Sequence, residues 1–261
     1  MKQQYGLAPN WQQIENDNHP RLGKAEIHLW WLPLTLSKSQ QEAALLLLSD
    51  KQRDRYNRRK SKVRQQSYLA GRYYLLTLLS QYTETPPDEI LLSYTSLDKP
   101  FLTNREHDIE FNFTDTNIQH RSSDNTGDHY GLFAFCKNHA IGVDIESLER
   151  KANFLAISES RFSQSEQQFV KDSSGNINPQ RCLAIWTRKE AFGKAVGRGI
   201  NYNMNALDLS SAENNELNFS SHDDDWRLTQ IQLTDTVISC VAHQGHQVLD
   251  IKAFNCVNHL P

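Results

Sequence analysis

Residues Ile141 to Glu146 read I-G-V-D-I-E. Ile141, Val143 and Ile145 alternate with Gly142, Asp144 and Glu146, a period of two that fits a half-buried strand. Side chains two apart on a strand share a face, so Asp144 and Glu146 point the same way. Forty residues on, the period changes. Leu183, Trp186, Ala191, Phe192, Ala195 and Val196 space as the apolar side of a helix with no proline among them. Glu190 and Lys194, four apart, are neighbours on one helical face, and Lys189 points elsewhere.

If strand and helix meet, three carboxylates converge. Like charges that close repel and raise one another's pKa, and a bound divalent cation removes the conflict. A ligand set of oxygens alone suits Mg²⁺, which keeps water and takes substrate phosphate as further ligands. Each piece alone is weak: D-x-E is common on strands, and K-E on a helix is more often a solvated face.

The two stretches together, with Arg161-Phe162-Ser163-Gln164-Ser165-Glu166 between them, resemble the 4′-phosphopantetheinyl transferases of the larger type that activates surfactin synthetase. That family looks like G-V/I-D-I/V-E, then R-F-F-S-x-x-E, then W-x-x-K-E-A/S-x-x-K-x-x-G-x-G. Here the blocks are Gly142 to Glu146, Arg161 to Glu166, and Trp186, Lys189-Glu190-Ala191, Lys194, Gly197 and Gly199. Lys99-Pro100 and Phe111 to Thr116 are weaker matches upstream, so the resemblance spans roughly residues 25 to 210.

The resemblance implies an α+β fold of two similar halves forming a pseudo-dimer, with the active site in the cleft between them. The expected division is an N-terminal extension at 1–24, one half at 25–140 and a second at 141–261 that carries the magnesium site. It implies Mg²⁺, or Mn²⁺ in its place, on Asp144, Glu146 and Glu190, with coenzyme A as co-substrate. Lys99, Thr114, Lys189 and Lys194 become coenzyme A contacts. Lys194 also becomes catalytic, and Glu166 the group that assists deprotonation of the acceptor serine. The implied reaction moves the phosphopantetheine arm onto a serine of an acyl or peptidyl carrier protein and releases 3′,5′-ADP. A catalytically impaired carrier-binding homologue is the alternative. A magnesium nuclease is a further one, disfavoured because Lys189 directly precedes Glu190 instead of following it by two.

Phe111 to Thr116 departs from the family's F-N-x-S-H-S pattern, whose Ser and His help hold the 3′-phosphate. Thr114 keeps a hydroxyl, but Asp115 stands where the histidine would be, and Ser67 where an arginine is frequent. An aspartate ~4 Å from a phosphate opposes it by about 1 kcal/mol in water and ~4 kcal/mol in a partly screened site. The expectation is poor discrimination between coenzyme A and its 3′-dephospho form, with His120, Arg121 or the basic segment as compensating charges.

Elsewhere the chain is plainer. Its 261 residues allow one large domain or two small ones. A net charge of −3 implies no nucleic-acid or membrane surface. Cys136, Cys182, Cys240 and Cys256 form no C-x-x-C pair and read as reduced, buried thiols of a cytoplasmic protein. Met1 to Asn18 lacks the apolar core of a signal peptide, and Ala43 to Leu48 is too short to span a bilayer.

A strand over Glu26 to Leu32, a helix from Ser37 to Leu48 and a helix over Gln66 to Tyr82 are expected in the first half. Short strands follow near Ile90, Ile109 and Tyr130, and His120 to Asp128 reads as a polar loop. From Ala206 on, five strands are expected. Lys51 to Arg64 carries eight basic residues against Asp54 and reads as a surface that steers anionic partners. Glu149 to Phe162, with Phe154, Leu155 and Ile157, reads as core or as a carrier-receiving surface. Two halves in one chain favour a monomer.

Overall fold

A computed structural model describes residues 5–12, 14, 19–104, 106–118, 128–198, 204–211 and 215–255. His120, Arg121, Gly199 and Cys256 lie outside the described residues.

The first half begins with strand β1 (Glu26–Pro33), buried along its length. Helix α1 (Lys38–Leu46) follows, and Ser37 caps it in a reciprocal box with Gln40. Helix α2 (Asp50–Asn57) has the same box from Ser49 and Gln52. Helix α3 (Lys62–Thr83) is longer than the apolar spacing alone marks, because its first turn is polar and exposed. A small hairpin, β2 (Leu92–Tyr94) and β3 (Pro100–Leu102), precedes the long strands β4 (Ile109–Ile118) and β5 (Asp128–Lys137).

Strand β6 (Ile141–Ser147) opens the second half. Helices α4 (Phe154–Arg161), α5 (Gln164–Phe169) and α6 (Pro179–Ala195) follow, then strands β7 (Glu216–Ser221), β8 (Asp224–Thr234), β9 (Val237–Gln244) and β10 (Asp250–Phe254). The strand expected at Ala206 to Leu209 is not formed. Met204–Ala206 is a single 3₁₀ turn, and Leu207 to Leu209 run irregularly across α6 and α5.

The result is mixed α+β. One four-stranded sheet has the order β10-β1-β5-β4 and the other β6-β9-β8-β7. Tyr74, Leu75, Leu78 and Leu79 of α3 share a core with Trp30, Phe111, Phe133 and Phe135 of the first sheet. Ala191, Phe192 and Ala195 of α6 share one with Trp226, Leu228 and Cys240 of the second. Ile27, Leu29, Leu132 and Ala134 meet Ile141, Val143 and Val241 in a third core that joins the sheets.

Two sequence expectations need correction. The division at Ala140 separates the sheets everywhere but at the end: β10 returns to pair in parallel with β1, Glu26 against Asp250 and Trp30 against Phe254. The N-terminal extension is not loose over residues 5–12. Leu7 N–H donates to Gln230 at 2.8 Å and Gln12 N–H to Ala253 at 2.7 Å, so this segment straps β8 to β10. A side chain at Gly6 would stand 2.5 Å from Gln232 N, which explains why a glycine starts the strap.

Candidate active site

Strands β4 and β6 are the facing edges of the two sheets, and the site lies along that seam. An edge strand has unpaired backbone groups. Asn112 of β4 meets one of them: its Oδ1 accepts the Val143 N–H at 2.9 Å. Ile141, Val143 and Ile145 turn into the joint core, and Gly142, Asp144 and Glu146 turn toward α6. Gly142 is what lets the helix come down. A Cβ there would lie 2.1 Å from Ala191 O and 2.3 Å from Ala195 N. With that room, Glu190 and Lys194 reach the level of Asp144.

Lys194 Nζ is 2.6 Å from Asp144 Oδ1 and donates to Thr114 Oγ1 at 2.9 Å and Val143 O at 3.1 Å. Burial raises the Asp144 pKa, and Lys194 only partly offsets it. Burial, then the Asp144 charge, push Glu146 up to about 7 and Glu190 upward as well. The charge of Asp144 thus reaches both Glu146 and Glu190. Asp144 Oδ2 and Glu190 Oε1 are buried without a hydrogen-bond partner, and Glu146 is held by the guanidinium of Arg150.

Buried unpartnered carboxylate oxygens are costly and call for a cation. Two such oxygens, with the Glu146 carboxylate as a third candidate donor, are of the type that suits a hard divalent ion such as Mg²⁺. Among the described residues no three acidic, His or Cys side chains are already gathered at metal-holding spacing. In their place Lys194 and Arg150 neutralise two of the carboxylates.

Three expected coenzyme A contacts and the expected base are occupied elsewhere. Glu166 is fully buried as N3 of α5: Oε2 accepts from Ser163 N at 2.7 Å and Oε1 from Leu209 N at 2.8 Å. Lys189 Nζ stands 2.8 Å from Oε2 and also donates to Met204 O and Leu207 O. The pair pins the chain after α6 to α5, so neither group faces a substrate. Lys99 Nζ donates to Ile141 O at 3.0 Å and Ala195 O at 2.9 Å, tying the start of β6 to the end of α6. Burial pulls its pKa down to about 8. Thr114 is committed to Lys194 and Asp144, which puts it in the acid cluster and not on a distant phosphate.

Beside Glu146 opens a cleft of about 950 Å³. Arg55, Arg59, Arg64, Arg72, Arg150 and Lys151 line it, with Ser67, Tyr68, Phe113, Asp115 and His129. Arg55, Arg59 and Arg64 belong to the basic segment read from sequence. Lys51 is spent on Asp98, and Arg53 on Leu45 O. Tyr68, Arg72, His129 and Arg150 were missed. Arg72 follows Tyr68 by four on α3, and an arginine within the apolar part of that helix was the available signal. Arg59 lies 3.9 Å over the Tyr68 ring and Arg72 5.4 Å from it. Tyr68 Oη, Arg72 Nη1 and His129 Nδ1 are all buried without a partner in the same cleft. Such a wall fits a polyanion with several phosphoryl oxygens.

Residues 140–247 match the family model described as the 4′-phosphopantetheinyl transferase superfamily. A putative 4′-phosphopantetheinyl transferase of Synechocystis sp. is 29% identical over 178 residues, covering 67% of each chain. The 4′-phosphopantetheinyl transferase HetI of Nostoc sp. is 27% identical over 67% of this chain and 70% of its own. A phosphopantetheinyl transferase of Thraustochytrium sp. is 26% identical over 82% of this chain and 76% of its own.

Proposed function

We propose that this chain, which belongs to the 4′-phosphopantetheinyl transferase superfamily, transfers the 4′-phosphopantetheine arm of coenzyme A to a serine of an acyl or peptidyl carrier protein. The observation that carries the reading is the juxtaposition of a buried, underneutralised acid cluster with an arginine-walled cleft at Glu146. The serine oxygen bonds to the β-phosphorus as its proton passes to solvent, the bridging P–O bond breaks, and 3′,5′-ADP leaves with the bond's electron pair.

Phosphoryl transfer asks a protein mainly for alignment and charge neutralisation. Mg²⁺, or Mn²⁺, on Asp144, Glu146 and Glu190 would supply charge on the diphosphate. Lys194 holds Asp144 in place now and offers its ammonium to the same phosphates. The arginines of the cleft orient the nucleotide end. Thr114 fixes Lys194 and Asp144 to each other across the seam. Glu166 takes no proton in this scheme, because both of its oxygens are consumed in the fold.

Leu155, half-exposed on α4, and Phe169 on α5 offer apolar contacts for the carrier. No helix among the described residues is long and apolar enough to cross a membrane. A cytoplasmic monomer is the working form we propose. The impaired-binder reading is disfavoured, since a binding module has no use for two buried acids with unpartnered oxygens beside a third carboxylate.

The test is the intact mass of an apo carrier protein incubated with this chain, Mg²⁺ and coenzyme A. A gain of one phosphopantetheine, lost without Mg²⁺ and with Glu190→Ala, is expected. No gain on several carriers would overturn the assignment.

A further inference from the structure

Arg150 sits in a tight turn after β6, its backbone N–H bonded to Ser147 O at 3.0 Å. Its guanidinium bonds Glu146 Oε1, lies 6.0 Å from the Trp186 ring and also lines the arginine cleft. The Arg150 side chain is 38% exposed, while that of Glu146 is only 13% exposed. One partly exposed cation therefore stands between the acid cluster and the anion cleft.

Resting on the metal-dependent reading above, we propose that Arg150 is a positioning residue that couples the two binding events. In the empty enzyme its guanidinium occupies the Glu146 oxygen that a divalent ion needs. A diphosphate in the cleft offers Arg150 a better partner, because guanidinium pairs with phosphate oxygens in bidentate fashion. The arginine leaves Glu146, and the carboxylate is released to the metal. By linkage the metal then favours the diphosphate to the same degree. Free metal is thereby held weakly, and the loaded site assembles only with the nucleotide in place. The Glu146 contact is an ion pair open to solvent on its arginine side, so the guanidinium can be exchanged to another anion. Lys194 differs: it has three partners at the seam and stays.

The experiment is Mn²⁺ binding by electron paramagnetic resonance, with and without coenzyme A and with no carrier present. It uses the full chain as wild type, Arg150→Ala, Arg150→Gln and Glu190→Ala. In the absence of coenzyme A both Arg150 variants should bind Mn²⁺ about threefold to fivefold more tightly than wild type, the scale of one partly exposed ion pair. The tightening that coenzyme A confers on the wild type should shrink by the same factor. Unchanged or weaker Mn²⁺ binding in both variants, or an undiminished coenzyme A effect, overturns the proposal while the metal site stands. Mn²⁺ binding that is absent in wild type, or equal in Glu190→Ala, overturns the metal reading itself and the coupling with it.

Discussion

Glu166 on α5 and Lys189 on α6 form an ion pair at 2.8 Å with side chains 0% and 2% exposed. Burial pulls the Lys189 pKa down and the Glu166 charge holds it up. Removing one partner of such a pair leaves an uncompensated buried charge, which costs roughly 3–5 kcal/mol. Glu166→Ala should therefore lower stability by about that amount in urea melts. A transferase rate measured per folded molecule should fall little. If instead the variant melts like wild type and loses its turnover, Glu166 is a base after all and the pair is incidental.

Gly142 makes a prediction about the seam. Its missing Cβ is the space in which α6 lies on β6, with Ala191 O and Ala195 N as the atoms a methyl would strike. Both are helix backbone and cannot rotate away. Gly142→Ala should cost about 2 kcal/mol or more through overpacking. It should also pull Glu190 and Lys194 off Asp144, so metal affinity falls together with the melting temperature. A variant with wild-type melting and Mn²⁺ affinity would show that the helix yields without consequence.

The cleft predicts a division between kinetic constants. Arg72 has a buried Nη1 with nothing to bond, so a phosphoryl oxygen is its natural partner. Arg72→Ala should raise the KM for coenzyme A about tenfold or more, the worth of a charged hydrogen bond, with kcat little changed. Asp115 lines the same cleft and opposes a phosphate. Asp115→Asn should improve kcat/KM for coenzyme A about fivefold, given ~1 kcal/mol of repulsion in a solvated setting. The 3′-dephospho form should gain less. Equal gains on both substrates would show that Asp115 does not face the 3′-phosphate.

The uneven legibility of this chain has physical causes. Period-two and helical spacing placed β6 and α6 because each buries one face against a single neighbour. The meeting of Asp144 with Lys194 follows from the same spacing, since one lies on the strand face and the other on the helix packed against it. Lys99, Lys189 and Glu166 were misassigned for one reason: a motif says which side chain is present, not which buried carbonyls need a donor. Met204 O, Leu207 O, Ile141 O and Ala195 O come from segments distant in the chain. Arg72 and His129 enter the cleft only through the register of Asn117 with His129 and the docking of α3. The return of β10 was equally hidden, since a parallel pairing over two hundred residues leaves no local mark.

A pH dependence follows from the far end of the first sheet. His28 is 1% exposed, with Nδ1 2.8 Å from Tyr82 Oη and Nε2 3.2 Å from Glu26 Oε2. Burial depresses its pKa from 6.5 to about 4, and Glu26 only partly restores it. Above pH 6.5 the imidazole is neutral in both folded and unfolded chains, and the folded state pays no penalty. As pH falls from 6.5 toward 4 the unfolded chain takes up a proton that the folded one refuses, so stability drops. The full loss is about 3 kcal/mol at one pKa unit per 1.4 kcal/mol. Glu146 works in the opposite sense: its pKa is raised to about 7, so its protonation favours the fold as pH falls over the same range. The total curve therefore mixes both, and the informative quantity is the difference between wild type and His28→Gln. Unfolding free energies in urea at pH 7, 5.5 and 4.5 should show the wild type losing ground to the variant at each acid step. A constant difference across that range would mean that the fold leaves the His28 pKa unshifted, and a wild type that gains on the variant as pH falls would mean that His28 is protonated in the fold and paired with Glu26 as an ion.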